Sequence, residues 1–316
     1  MSVVIVTGVA GYIGGQTALL LKDAGHEVYG IDRRDLPKHL RGICNKFLHQ
    51  DFASDVALSW IISKQPDAII HCAGTSLVGP SMTDPAEYYN NNVAKTLRLL
   101  DIVRKSLPRC RVIFSSSAAT YGEPLLGECH EVDLCMPVSP YGQSKFMVDM
   151  MLESYCQAYN LNYVSFRYFN ACGADPQGRH GQEPSATHII ARVLESIRDN
   201  QEFTLYGNDY PTADGTCIRD YVHVDDIARA HALALYHKIP AGLYNLGSKQ
   251  GTSNHEIIVA AERITSKQPK VTVGEKRAGD PPSLTANPTK FDMVADEWRH
   301  YKLDDMIQHA WNWYNK

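Results

Sequence analysis

The stretch VTGVAGYIGG, residues 6–15, constrains this chain more than any other. Gly8, Gly11 and Gly14 recur at every third position between an apolar run, VVIVTG, and a helical pattern. Glycines at a strand-to-helix turn let the backbone approach a pyrophosphate, whose charge then lies against the unpaired N–H groups of the helix N-terminus. A bare turn of this kind also favours glycine, so the triplet alone decides little. Asp32 ends the second apolar run, EVYGID, about 20 residues beyond the turn, where a carboxylate can accept hydrogen bonds from an adenosine ribose. Together the two features predict a dinucleotide site at the head of a parallel sheet.

The rest of the chain has the rhythm that such a sheet requires. Candidate buried strands at 3–8, 27–32, 46–49, 67–74, 111–117 and 163–170 are bounded by Gly, Pro, Asp or Ser, with helical patterns near 15–24, 54–64, 86–106 and 141–158. This order predicts an α/β fold with a Rossmann-type doubly wound parallel sheet. After Asn170 the segment ACGADPQGRHGQEPSA is rich in Gly, Pro and polar residues, and later segments are shorter and more mixed. The expected organisation is a dinucleotide-binding domain over 1–170, rejoined by a segment near 217–245, and a smaller α/β domain that takes up most of 171–316. With 316 residues and 44% hydrophobic content the chain can bury a sizeable core. A net charge of -4, with cations scattered, offers no general attraction to nucleic acid or to an anionic membrane, and neither partner is expected. Eight cysteines without a CxxC pair read as reduced thiols in a cytoplasmic protein, and the N-terminus has neither a basic leader nor an apolar run of signal length. His223, Asp225 and Asp226 in HVDD mix metal-ligand types, but either aspartate reads as a helix N-cap before IARAHALAL, and no metal is implied.

The segment SPYGQSK, 139–145, sets Tyr141 and Lys145 four positions apart, on one face of a helix. Nearby positive charge favours phenolate over phenol, so the pair can make a base. An unperturbed tyrosine titrates near 10, and work near neutrality needs roughly 3 units of depression, or about 4 kcal/mol. An exposed ion pair is too weak for that. A cofactor's charge and partial burial are needed as well, which makes the motif informative only beside a nucleotide-binding turn. Ser117, at the end of the fifth strand, adds a hydroxyl at the carboxyl edge of the sheet, where sites of such folds lie.

The GxxGxxG spacing, the turn HCAG (71–74) and the Ser/Tyr/Lys set resemble the short-chain dehydrogenase/reductase superfamily. Within it the chain resembles the UDP-glucose 4-epimerase family nearly end to end, on VTGVAGYIG, HCAG, YYNNNV, FSSSAATYG, SPYGQSK, RYFNACGADP, the long run from Tyr206 to His231, YNLGS and RAGDPPSLTANPTK. The resemblance implies an isomerase that inverts C4 of a UDP-hexose, with NAD held tightly and regenerated in each turnover. Tyr141 would take the proton of the sugar 4-hydroxyl as hydride passes to NAD, Ser117 would steady the oxygen, and Lys145 would tune Tyr141 and hold the nicotinamide ribose. A 4-keto sugar would then turn its other face and be reduced again. The resemblance further assigns cofactor contacts to Gly8, Gly11, Tyr12, Ile13, Gly14, Asp32, Arg33, Asp51, Phe52, Cys72, Ala73, Gly74, Ser76, Asn92, Ser115 and Tyr168, besides Tyr141 and Lys145. For the substrate it implies a diphosphate grip by Arg219 and Arg277, a uridine ribose acceptor in Asp280, and uracil contacts at Thr204 and Tyr206. Phe169, Asn170, His188 and Ile189 would complete the substrate set. A homodimer through helices near 92–106 and 141–157 is implied on the same ground.

Four positions bear on how far the pattern carries. Ser76 stands where many of these epimerases have a Lys that reaches the cofactor, which predicts looser retention. Arg33 and Arg34 follow Asp32; an arginine there accommodates a 2′-phosphate, whereas Asp32 repels one, and the balance favours NAD. Leu284 occupies the family position that gates the C2 substituent, so UDP-galactose and UDP-glucose are the expected main pair and UDP-N-acetylglucosamine a slower substrate. A nucleotide-sugar dehydratase would share the fold but needs proton-transfer groups beside the hydroxyl residue, where this chain has Ala118 and Ala119. A non-catalytic NAD-binding regulator would have lost Tyr or Lys, and both are present. The pathway served is either galactose breakdown or surface polysaccharide assembly.

Overall fold

A computed structural model describes residues 1–124, 127–183, 188–236, 238–276 and 280–316 of the protein. Its main layer is a seven-stranded sheet built from β1 (Val3–Thr7), β2 (Glu27–Asp32), β3 (Lys46–His49), β4 (Ala68–His71), β5 (Arg111–Ser117), β7 (Tyr163–Tyr168) and β11 (Gly242–Leu246), in the order 11-7-5-4-1-2-3. Every neighbouring pair is parallel. The order reverses between β1 and β4, which leaves a crevice at the carboxyl ends of these two strands.

Alternation along each strand divides its residues between two cores. Val4 and Val6 face one side with Ala18, Leu19 and Leu21 of α1 (Tyr12–Asp23) and Ile227 and Ala230 of α8 (Val224–Ala234). Ile5, Ile69, Val112 and Phe114 face the other, against α2 (Asp55–Lys64), α5 (Lys95–Ser106) and α6 (Pro140–Tyr159). Short helices α3 (Val78–Ser81) and α4 (Pro85–Tyr88) and a π-helical turn, Tyr89–Ala94, lead into α5.

The second body has its own sheet of five short strands. β6 (Glu128–Cys129), β14 (Ser283–Ala286), β10 (Ile218–His223) and β12 (Gly251–Ser253) lie side by side, and β8 (Asn170–Cys172) also pairs with β10. A parallel pair, β9 (Glu202–Tyr206) with β13 (Lys270–Gly274), stands apart. α7 (Ile189–Asp199), α9 (Asn254–Thr265) and α11 (Leu303–Tyr314) enclose a third core, and α10 (Thr289–Asp292) packs back on the main sheet through Phe291. Residues 218–223 of the segment expected to return to the first domain belong to the small sheet; α8 and β11 are the parts that rejoin the large one.

The N-cap of α8 is His223, not Asp225 or Asp226: its Nδ1 accepts from the Asp225 N–H at 3.0 Å. Asp225 instead pairs with Arg229, and Asp226 accepts backbone N–H bonds from His300 and Tyr301. All eight cysteines are free, and among the described residues no helix is long and apolar enough to cross a membrane.

Candidate active site

The glycine turn folds as its sequence requires. A Cβ on Gly14 would lie 2.3 Å from the Gly8 carbonyl oxygen, so only glycine lets the first turn of α1 rest on the loop before it. Gly11 caps that helix without a side chain, which leaves the N–H groups of Tyr12 and Ile13 open to an anion. The phenol of Tyr12 turns away and donates to the Gly173 carbonyl at 2.7 Å, so Tyr12 can serve the crevice through its backbone alone. At the end of β2, Asp32 is buried and accepts from the N–H groups of Ala10 (3.0 Å) and Arg34 (2.9 Å), which aims the carboxylate at the turn. Arg33 is exposed, 4.0 Å from Glu87.

The remaining walls of the crevice are held from behind. Asn92, in the π-helical turn, accepts from the Thr75 N–H at 2.8 Å and donates to Thr75 O and to Ser144 Oγ, fixing the loop that carries Cys72, Ala73, Gly74 and the exposed Ser76. Asp51 accepts from Lys95 Nζ at 2.6 Å. Phe52 and Tyr168 face inward. The Phe52 ring packs on His71 at 4.7 Å, and the Tyr168 hydroxyl donates to Ser115 Oγ at 3.0 Å and also meets His231 Nε2. Ser115 Oγ in turn donates to Cys72 Sγ.

The reacting groups meet where β5 ends and α6 begins. Ser139 caps α6 by accepting from the Gly142 N–H, and Pro140 takes the first helical position. A Cβ on Gly142 would lie 2.3 Å from Ala119 O, so glycine allows the first turn of α6 to press against the 118–120 turn that follows Ser117. Tyr141 thereby receives a hydrogen bond with Ser117. Burial pushes the Tyr141 phenol above its ordinary value, and the Ser117 hydrogen bond opposes that push. Lys145 is 5% exposed and donates from Nζ to Ser115 O at 2.7 Å; burial pulls it down to about 8, with Cys72 and Asp149 opposing. Lys145 lies over the Phe114 ring at 4.8 Å and 6.0 Å from the Tyr141 ring centroid. Burial thus works against the phenolate, and a further positive charge near Tyr141 would favour it. The uncapped helix, the Asp32 carboxylate and a buried ammonium with one acceptor fit a dinucleotide with a cationic ring.

The residues assigned to the substrate lie mostly on the strands of the second body. Arg219 Nη2 pairs with Asp280 at 2.5 Å and its Nη1 donates to Ile218 O. Thr204 and Tyr206 share one face of β9, opposite buried Phe203 and Leu205. Asn170 donates to Asp220 O at 2.8 Å. His188 bonds Gln182 through Nε2 while its buried Nδ1 has no partner among the described residues, and burial pulls it down to about 4. Ile189 follows it at the start of α7. Leu284 packs with Ala118, Tyr121 and Phe169, the neighbours of Ser117 and Asn170. Arg277 lies outside the described residues. Two contributors were not legible from the motifs: Ser144, whose hydroxyl links Asn92 to the Tyr141 carbonyl, and Asp149, one turn beyond Lys145 on the same helix. The i, i+4 spacing from Lys145 is the signal that could have drawn attention to Asp149.

Residues 4–247 match the NAD dependent epimerase/dehydratase family. A UDP-glucose 4-epimerase from Halalkalibacterium halodurans is 39% identical over 322 residues, covering 99% of this chain and 96% of that protein. One from Lacticaseibacillus casei is 38% identical over 98% of this chain and 96% of its own. Among solved structures, the UDP-glucose 4-epimerase from Brucella ovis in complex with NAD superposes with a TM-score of 0.93 at 39% identity, covering 98% of each chain.

Proposed function

The chain belongs to the NAD dependent epimerase/dehydratase family, and from that premise we propose how its residues perform the reversible C4 epimerisation of a UDP-hexose. It is an isomerase that uses NAD, which when bound supplies the acceptor and donor of the C4 hydrogen. The observation that carries the residue assignment is the meeting of Tyr141, Ser117 and Lys145 at the carboxyl edge of β5.

Tyr141 removes the proton from the sugar 4-hydroxyl and returns it, while Ser117 holds the same oxygen. Lys145, fixed by Ser115 O, would hold the nicotinamide ribose and keep a positive charge near Tyr141. The glycine turn with the N–H groups of Tyr12 and Ile13 receives the pyrophosphate, and Asp32 the adenosine ribose. Asp51, Ala73, Gly74, Ser76 and Asn92 border the rest of the cofactor, with Cys72, Ser115, Tyr168 and Phe52 as its packed support. For the substrate, Arg219 exchanges part of its bond with Asp280 for the diphosphate, and Asp280 is thereby released to the uridine ribose. Arg277 shares the diphosphate. Thr204 and Tyr206 flank the uracil, and Phe169, Asn170, His188, Ile189 and Leu284 surround the sugar and its linkage.

Cofactor binding is assigned to residues 1–170 with the returning α8 and β11, and UDP-sugar binding mainly to the rest of 171–316. A homodimer through α5 and α6 is supported by Leu97, Met147, Met150 and Tyr159, all apolar and exposed on these helices. Residence in the cytoplasm and a part in galactose metabolism complete the proposal. Purified protein incubated with UDP-galactose and no added reductant is expected to form UDP-glucose; a protein carrying cofactor but forming none would refute it.

A further inference from the structure

Asp149 is 5% exposed, on the apolar flank of α6, one turn beyond Lys145 and two beyond Tyr141. A carboxylate there needs partners, and all of them come from the two strands that carry the site. Ser116 Oγ, between Ser115 and Ser117 on β5, donates to Oδ2 at 3.0 Å. Ser165 Oγ on β7 donates to Oδ1 at 2.6 Å, and Arg167 Nε, also on β7, to Oδ2 at 3.0 Å. Arg167 is itself held over the Tyr121 ring at 4.7 Å, and Tyr121 OH donates to Asn245 on β11. Apart from the bonds of Tyr141 to Ser117 and of Lys145 to Ser115 O, α6 packs on these strands through apolar side chains such as Val148 and Leu152, and apolar packing tolerates sliding that a three-point hydrogen-bonded charge does not.

We propose that Asp149 is a positioning residue: by tying α6 to β5 and β7 at one point it sets the height of the helix, and so brings Tyr141 to Ser117 and Lys145 to Ser115. This rests on the reading of the site as an epimerase centre. A displacement near 1 Å of a reacting group can lower a rate on the order of a hundredfold while binding contacts elsewhere persist. Asp149 is buried and its oxygens are taken up by Ser116, Ser165 and Arg167, so its removal is expected to act on turnover and to spare affinity.

The test compares the parent holoenzyme with Asp149→Asn, Ser116→Ala and Ser165→Ala in UDP-galactose epimerisation, alongside thermal unfolding and the NAD released per chain on denaturation. Asp149→Asn is expected to lower kcat about tenfold or more, with KM within about threefold and NAD content unchanged; the serine variants, each lacking one donor, fall between it and the parent. Unchanged kcat in a folded Asp149→Asn protein overturns the proposal, as does a loss of kcat matched by a rise in KM and a loss of NAD, which would mean general loosening. If Asp149→Asn does not fold, the two serine variants decide by the same criteria. An inactive parent would bring down the epimerase reading and this one with it; an active parent with unaffected variants brings down this one alone.

Discussion

In the proposed mechanism Tyr141 and Lys145 work only as members of a larger arrangement. Burial raises the Tyr141 phenol, and Lys145, itself drawn down to about 8 by burial, lies too far from the ring to reverse that alone. A bound cofactor with a cationic ring would add the positive charge that favours phenolate. Tyr141→Phe keeps the ring packing against Tyr88, 6.4 Å away, and removes only the hydroxyl, so turnover should fall at least about a hundredfold with UDP binding little changed; kcat and a UDP titration measure both. Leu284 belongs to the same scale. It packs on the cluster that holds Ala118 and Phe169, and Leu284→Tyr should depress kcat/KM for UDP-N-acetylglucosamine while largely sparing UDP-galactose, by a graded margin of about 1–3 kcal/mol. Equal losses for both sugars would remove Leu284 from the C2 side. The places of Tyr141, Lys145 and Ser117 in the fold were readable from motifs because short backbone signals, Ser139-Pro140 at the helix start and the end of the fifth strand, fix where they lie. Asp149 and Ser144 were not, since their partners, Ser116, Ser165, Arg167 and Asn92, come from three other elements.

At the scale of elements, the turn between β1 and α1 is the part with least tolerance. Gly14→Ala places a methyl 2.3 Å from Gly8 O, inside any permitted contact, so the first turn of α1 must shift away from the pyrophosphate position. The expected result is a folded protein that releases much less NAD on denaturation and loses about 1–3 kcal/mol of stability, read from cofactor absorbance and a denaturant titration. The six strands expected in the first part of the chain correspond to β1–β5 and β7, because buried parallel strands advertise themselves as apolar runs between turn residues. The strands of the small sheet did not: β6, β8 and β12 have two or three residues each, and their existence rests on partners distant in sequence, as where Arg219 on β10 aligns with Leu284 on β14. The cap of α8 was misread for a related reason. Histidine is a less common cap than aspartate, and here the two aspartates are drawn off by Arg229 and by the 300–301 backbone.

Across the whole molecule, buried histidines tie the layers together in their neutral form. His71 bridges Thr7 and Thr96, His231 bridges Thr17 and Tyr168, and His180 bonds both His39 and the Tyr12 carbonyl. Burial holds His71, His223 and His231 down at about 3 and His180 at about 4. An unfolded histidine gains its proton near 6.5, so between that pH and the folded values only the unfolded chain binds these protons. Stability is therefore unaffected by them above pH 6.5 and falls as the pH drops below it, by as much as about 1.4 kcal/mol per unit for each group. The melting temperature should stay level from pH 8 to 7 and decline steeply below about 6; a level profile down to pH 4.5 would contradict the burial of these side chains. The central claim is that one site, built where β1, β4, β5 and α6 converge, removes and returns the same hydrogen at C4 of a UDP-hexose. Its most direct test is to incubate the purified protein, without added cofactor or reductant, with UDP-galactose carrying deuterium at C4 and to analyse the product by mass spectrometry and proton NMR. The account predicts UDP-glucose that retains the deuterium at C4, whereas absence of UDP-glucose, or a product whose C4 hydrogen comes from solvent, would contradict it.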